Sequence, residues 1–154
     1  MSMSIDDASV ARQPQPAPST PENVLEQLTV KGKVIAITGA SDGIGFAVAE
    51  AMAEAGGNVA LFYNSNKAAI EKGAALAEKH GVKTKAYQVE VSDPEKVQKA
   101  IQQVVQDFGK MDVFVANAGM AISKPIIEQT IEEYRKQMSV NREFENLSEH
   151  IEKR

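Results

Sequence analysis

Three glycines fall within seven residues in Thr38-Gly39-Ala40-Ser41-Asp42-Gly43-Ile44-Gly45. The segment leaves an apolar run, Val34-Ile35-Ala36-Ile37, and runs directly into an amphipathic stripe. Small residues between a buried strand and a helix suit one chemistry in particular. A dinucleotide's diphosphate rests on the backbone N–H groups of a helix start, and any Cβ would hold it away. In this reading Gly39 permits the sharp turn off the strand. Gly43 lets the phosphate approach the backbone, with Ser41, Asp42 and Ile44 beside it, and Gly45 allows the helix to pack closely on the sheet. A glycine cluster alone also satisfies a plain tight turn. The strand before it and the helix after it favour the phosphate.

The end of the second apolar run supplies a choice between nicotinamide dinucleotides. A site for NAD places Asp or Glu there to accept both ribose hydroxyls. This chain has Phe62-Tyr63-Asn64-Ser65-Asn66-Lys67, with no carboxylate. Asn64, Ser65 and Lys67 offer neutral and cationic donors in its place, which favours NADP over NAD because nothing there repels a 2′-phosphate. The same residues also suit a polar loop that caps a helix, with Asn66 as N-cap, and the two readings are compatible.

Other chemistries find little support. There is no cysteine and only two histidines, His80 and His150, so the expectation is no metal site. A formal charge of −4 leaves no basic stripe for nucleic acid. The chain starts without a basic, apolar leader and contains no run near the roughly 18 apolar residues of a membrane span, so a cytoplasmic protein is expected.

The elements that must position the turn follow from periodicity. Val34 to Ile37, Asn58 to Phe62, Thr84 to Val91 and Asp112 to Ala116 read as strands. Between them lie apolar stripes at helical spacing: Ile44, Val48, Ala51 and Ala55; Ile70, Ala74 and Ala77; Val97, Ile101, Val104 and Phe108. Asp93-Pro94-Glu95 is a helix start, and Gly56-Gly57 and Gly109 are stops. Alternating strands and helices with short connections predict an α/β fold, a doubly wound parallel sheet of four strands in the order 3-2-1-4.

Residues 1–24, with Pro14, Pro16, Pro18 and Pro21, read as a disordered arm before a domain over 25–141. Ile127, Ile131, Tyr134 and Met138 form one further stripe, and Val140, Phe144, Leu147 and Ile151 another. Met138 and Val140 lie about 200° apart, so the two stripes face opposite sides. Residues 142–154 are therefore expected to be a separate helical tail.

The turn, with its T-G-x-x-x-G-I-G spacing, and the later Asn117-Ala118-Gly119 together resemble the short-chain dehydrogenase/reductase family, whose sheet is of the Rossmann type. The likeness runs from about Leu25 to Asn141 and is strongest to a fungal branch of sorbose, mannitol and xylulose enzymes. It implies NADP(H)-dependent hydride transfer to or from a ketose, polyol or similar carbonyl. It places Glu90 and Val91 beside the adenine, where the family's usual residue at position 90 is Asp, and Asn117, Ala118 and Gly119 along the adenosine ribose.

The family's proton donor is a Tyr-x-x-x-Lys pair working with a Ser and an Asn. Tyr63-x-x-x-Lys67 has that spacing but lies at the second strand, beside the expected 2′-phosphate, so it is set aside. Asn141, in Met138-Ser139-Val140-Asn141, resembles the catalytic asparagine; without the lysine it has nothing to relay and reads as structural. Nothing after Asn141 resembles the family. The expectation is a truncated reductase that binds its dinucleotide and does not turn over. The alternatives are a non-catalytic module that pairs with a copy or full-length relative through the edge of its sheet, and a gene remnant.

Overall fold

The computed structural model describes residues 23–142. The proline-rich arm up to residue 22 and the tail from residue 143 lie outside the described residues. A short helix α1, Val24–Leu28, comes first, its start capped by the Asn23 side chain. Then follow β1 (Val34–Thr38), α2 (Gly43–Glu54), β2 (Asn58–Tyr63), α3 (Ala68–His80), β3 (Thr84–Gln88), α4 (Pro94–Phe108) and β4 (Val113–Val115). A 3₁₀ turn, Ile126–Glu128, leads to α5, Ile131–Arg142.

The sheet has the expected order, β3-β2-β1-β4, with every pairing parallel. All five residues of β1 are buried, as a strand covered on both faces requires. Strand alternation sorts them. Val34 and Ala36 join Ala60, Phe62, Tyr87 and Val89 under Val97, Ala100 and Val104 of α4. Ile35 and Ile37 join Val59 and Leu61 under Ala49 and Ala53 of α2 and Leu76 of α3. Two layers of helix thus enclose the sheet, and burying each Ile or Leu contributes about 1.5–3 kcal/mol. On the α4 face, Phe62 meets Tyr87 and Phe114 edge to face, with ring centroids 5.7 Å and 6.1 Å apart. Ala36 and Ala60 belong to the same buried cluster.

The helices sit at the expected places, but two are turned by one residue from the expected face. In α2 the buried positions are Gly45, Ala49 and Ala53, while Ile44 is 77% exposed. In α3 they are Ala69, Gly73 and Leu76, and Ile70 is exposed. Close helix–sheet approach selects the smallest side chains, so the bulkier stripe does not mark the inner face. Only α4 buries the predicted stripe, through Val97 and Val104 with Ile101 and Phe108 partly covered.

Helix α4 starts as read, with the Asp93 carboxylate accepting the amides of Glu95 and Lys96 at 3.1 and 3.2 Å and Pro94 in its first turn. The stripe through Ile127, however, is broken. Thr130 and Glu133 form a reciprocal cap: the Glu133 amide donates to Thr130 Oγ1 at 3.2 Å and the Thr130 amide to Glu133 Oε2 at 2.9 Å. That cap starts α5 after Ile127, which remains in the separate 3₁₀ turn.

At the other end of the sheet, Asp112 aligns β4. Its amide donates to Val34 O, and its carboxylate accepts the Val34 amide at 2.8 Å while pairing with Lys33 and Lys110. Among the described residues β4 pairs with β1 alone, and Val113 is 41% exposed.

Candidate functional site

Parallel strands bring their carboxyl ends to one edge. The segments that follow β1, β2, β3 and β4 carry every residue singled out from the sequence except Asn141. The strand order reverses between β1 and β4, and ligands of such sheets bind outside the strand ends at that reversal.

The turn after β1 is held from below. Thr38, fully buried, accepts the amides of Asn117 and Ala118 on its hydroxyl at 3.0 and 2.9 Å. The Asn117 side chain donates back to Thr38 O at 2.9 Å. The motif after β4 therefore clamps the exit of β1. Gly39 lies against this clamp, where an added Cβ would come within 3.1 Å of the Ala118 backbone. A Cβ at Gly45 would overlap the carbonyl of Gly39 and the side chain of Asn117, which accounts for the close seat of α2.

Gly43 differs. Its φ of +57° is one that L side chains rarely adopt, yet an added Cβ would meet nothing within 4 Å. The first turn of α2 therefore opens onto free space. Asp42 caps it, accepting the Gly43 amide at 2.9 Å. That amide, and then the Lys72 ammonium, hold the Asp42 carboxyl below the usual carboxylate range. The next amides of the turn, those of Ile44 and Gly45, have no intrahelical acceptor and carry the positive end of the helix dipole. This cradle, which a side chain at position 43 would begin to fill, fits a diphosphate.

At the neighbouring strand ends, Asn64 and Ser65 are exposed. Asn64 Nδ2 donates to Glu90 Oε2 at 3.3 Å, and Ser92 Oγ donates to Glu90 Oε1 at 2.9 Å. The end of β2 thus has a carboxylate beside it after all, brought by the β2–β3 register from 26 residues further on. Val91 is half-buried next to it. The N-cap position of α3 falls to Lys67, which makes no side-chain cap bond, one residue later than expected; Asn66, just before it, still accepts the Ala68 amide at 3.1 Å. Tyr63 is buried in β2 and Lys67 is exposed at the start of α3, so the two do not form a catalytic pair.

Asn141 stands apart from the turn. Its Oδ1 accepts the Met120 amide at 2.9 Å and its Nδ2 donates to Met120 O at 3.0 Å. This two-way link ties α5 to the chain just past Gly119. Lys72 is the residue that motif reading leaves out. It reaches from α3 to the turn, donating to Ser41 O at 3.0 Å and Asp42 Oδ1 at 3.1 Å. No local pattern marks it, because its partners lie 30 residues away. Among the described residues there is no group of three or more metal-ligating side chains, and no helix is long and apolar enough to cross a membrane.

Known proteins place this arrangement. Sorbose reductase of Candida albicans is 55% identical over 108 residues, which cover 70% of this chain and 38% of that protein. A probable NADP-dependent mannitol dehydrogenase of Yarrowia lipolytica is 50% identical over 107 residues, covering 70% and 38%. The crystal structure of an NADPH-dependent 3-quinuclidinone reductase from Rhodotorula rubra superposes with a TM-score of 0.77 at 46% identity, over 83% of this chain and 48% of that one. The chain thus spans less than half the length of these relatives. A profile of the family described as short chain dehydrogenase matches residues 33–143. This chain belongs to the short-chain dehydrogenase family.

Proposed function

We propose that these residues form the dinucleotide-binding part of an NADP(H)-dependent oxidoreductase acting on a ketose, polyol or similar carbonyl. The observation that carries the reading is the open, positive-φ start of α2 at Gly43. In this reading the amides of the Ser41–Gly45 turn hold the diphosphate, Asn64 and Ser65 face the 2′-phosphate, Glu90 and Val91 border the adenine, and Asn117 to Gly119 line the ribose. The bound dinucleotide would supply or accept the hydride. The sugar and polyol enzymes among the relatives support the substrate class, and their names support NADP.

Reduction also needs an acid beside the carbonyl. Among the three tyrosines, only Tyr63 has a lysine four residues on, and it is buried in a strand. Catalysis by a protein containing these residues therefore draws its acid from outside them, and the 154 residues alone bind without turning over. Titration of the chain with NADPH, followed by nicotinamide fluorescence, tests the binding; absence of saturation would refute it. NADPH oxidation with a ketose, abolished by Gly43→Val, would refute the inactivity.

A second reading rests on β4. Its outer edge and the exposed Val113 suit strand addition by a copy of the chain or a full-length relative. Sedimentation of the purified chain, alone and mixed with such a relative, separates this from a monomer; the cytoplasmic location proposed for it is a separate question for fractionation of cells.

A further inference from the structure

The candidate site has an electrostatic difficulty. Two carboxylates border the candidate site, Asp42 at the lip of the cradle and Glu90 beside Asn64 at the end of β2. A 2′-phosphate carries about −1.5 to −2 charges near neutrality, and each carboxylate repels it. One cation answers them at the turn. The Lys72 ammonium lies 3.0 Å from Ser41 O and 3.1 Å from Asp42 Oδ1, and 4.7 Å from the centre of the Phe46 ring. Its side chain is only 33% exposed, so water screens it less than a free surface lysine. Lys67, nearer in sequence to the end of β2, is exposed and forms no ion pair among the described residues.

An ammonium has three donors. Two are taken by Ser41 and Asp42, and the ring holds the group in place from another side. The third donor is left for an anion at the edge of the turn. The location matters: α3 begins just past the end of β2, and Lys72 spans from it to the turn after β1. A dinucleotide with its diphosphate on the β1 turn has its ribose 2′ oxygen recognised near the end of β2, and α3 begins just after that strand.

We propose that Lys72 is the residue that makes this site prefer a 2′-phosphorylated dinucleotide, by neutralising Asp42 and donating its remaining hydrogen to the phosphate. This rests on the reading of the turn as a dinucleotide site. Neither Asn64 nor Ser65 carries the charge the phosphate needs, and Asn64 spends a donor on Glu90.

The test is direct binding of NADPH and NADH to the whole chain and to Lys72→Met, Lys72→Arg and the double variant Lys72→Met/Asp42→Asn. Lys72→Met is expected to weaken NADPH by about tenfold or more while changing NADH less than about twofold, since a hydrogen bond to a charged group is removed only in the first complex. Removing Asp42's charge in the same background recovers part of the NADPH loss, and Lys72→Arg retains most of the preference. Raising salt lowers the NADPH-to-NADH affinity ratio of the unaltered chain and does not lower that of Lys72→Met, where only the carboxylates' repulsion is left to screen. Equal losses for both dinucleotides would make Lys72 a support of the turn and overturn the proposal, as would no loss at all. If the unaltered chain binds neither dinucleotide, the dinucleotide reading itself fails and the assignment goes with it; normal NADH binding with an unchanged ratio sinks the assignment alone.

Discussion

The hydroxyl of Thr38 accepts the backbone amide of Ala118 at 2.9 Å, joining the end of β1 to the segment after β4 across 80 residues of chain. The same oxygen takes the Asn117 amide at 3.0 Å, so both lone pairs of the hydroxyl are used. Thr38→Val keeps the volume and removes the acceptor. It is expected to destabilise the fold by about 1–3 kcal/mol, the cost of a buried polar group left without its partner. Thr38→Ser should recover most of that loss, and urea denaturation of the three proteins checks both statements.

Gly43 and Gly45 are two residues apart in one helix and should fail differently. At Gly45 an alanine Cβ collides with the Gly39 carbonyl, so Gly45→Ala forces α2 off the sheet and costs about 1–3 kcal/mol. At Gly43 there is space but a positive φ, so Gly43→Ala costs about 1–2 kcal/mol of backbone strain. It leaves the sheet intact and weakens dinucleotide affinity. Thermal melts paired with NADPH titration distinguish the two; a Gly43→Ala protein that binds normally would contradict the cradle.

Helix caps provide a local test. Asp93 satisfies two amides of α4, so Asp93→Ala should cost about 0.5–2 kcal/mol, and Asp93→Asn or Asp93→Ser much less. Guanidinium unfolding midpoints measure the series.

The pH dependence has a definite sign. Hydrogen bonds and lysines hold the carboxyls of Asp42, Asp93, Asp107, Asp112 and Glu133 below their ordinary range in the folded chain. The unfolded chain therefore takes up protons first. The stability these groups contribute is complete above about pH 4–5 and is lost as pH falls below that. Tyr87 works from the other side. Burial, and then Asp107, raise its phenol above the ordinary range, so its contribution is complete below about pH 10 and is lost as pH rises further. Melting temperatures between pH 3 and 11 on the order of one unit apart should plateau in between; a maximum at acid pH would contradict the assignment.

How much of this is legible in the chain differs by the kind of interaction. Strands buried on both faces leave unbroken apolar runs, so β1 and β2 fall where Val34 to Ile37 and Asn58 to Phe62 suggest. The glycine turn is equally visible, because its chemistry needs residues without side chains in consecutive positions. Rotation of the helices is not visible in the same way. Gly45 and Ala49 go inward because they are small, which a search for bulky apolar residues passes over. The reciprocal cap of Thr130 and Glu133 is written in the sequence as T-x-x-E, although the apolar stripe through Ile127 draws attention away from it. Least visible are the pairs made by the fold itself. Glu90 reaches Asn64 and Lys72 reaches Asp42 only once parallel pairing has aligned the strand ends, and no spacing rule joins residues 26 and 30 positions apart.

The central position of β1 has a kinetic consequence. Its first neighbour arrives quickly, since Val34 pairs with Asn58 through one intervening helix, whereas Ala36 must wait for Phe114. Loops that large close late, because chain entropy is lost before any contact compensates for it. Refolding molecules are therefore expected to join β1 to β2 before the flank meant for β4 is covered. Pulse labelling with deuterium during refolding should find the amides of Ala60 and Phe62, which face β1, protected before those of Asn117 and Ala118. In that interval the half-finished sheet is at its most vulnerable to capture by another chain.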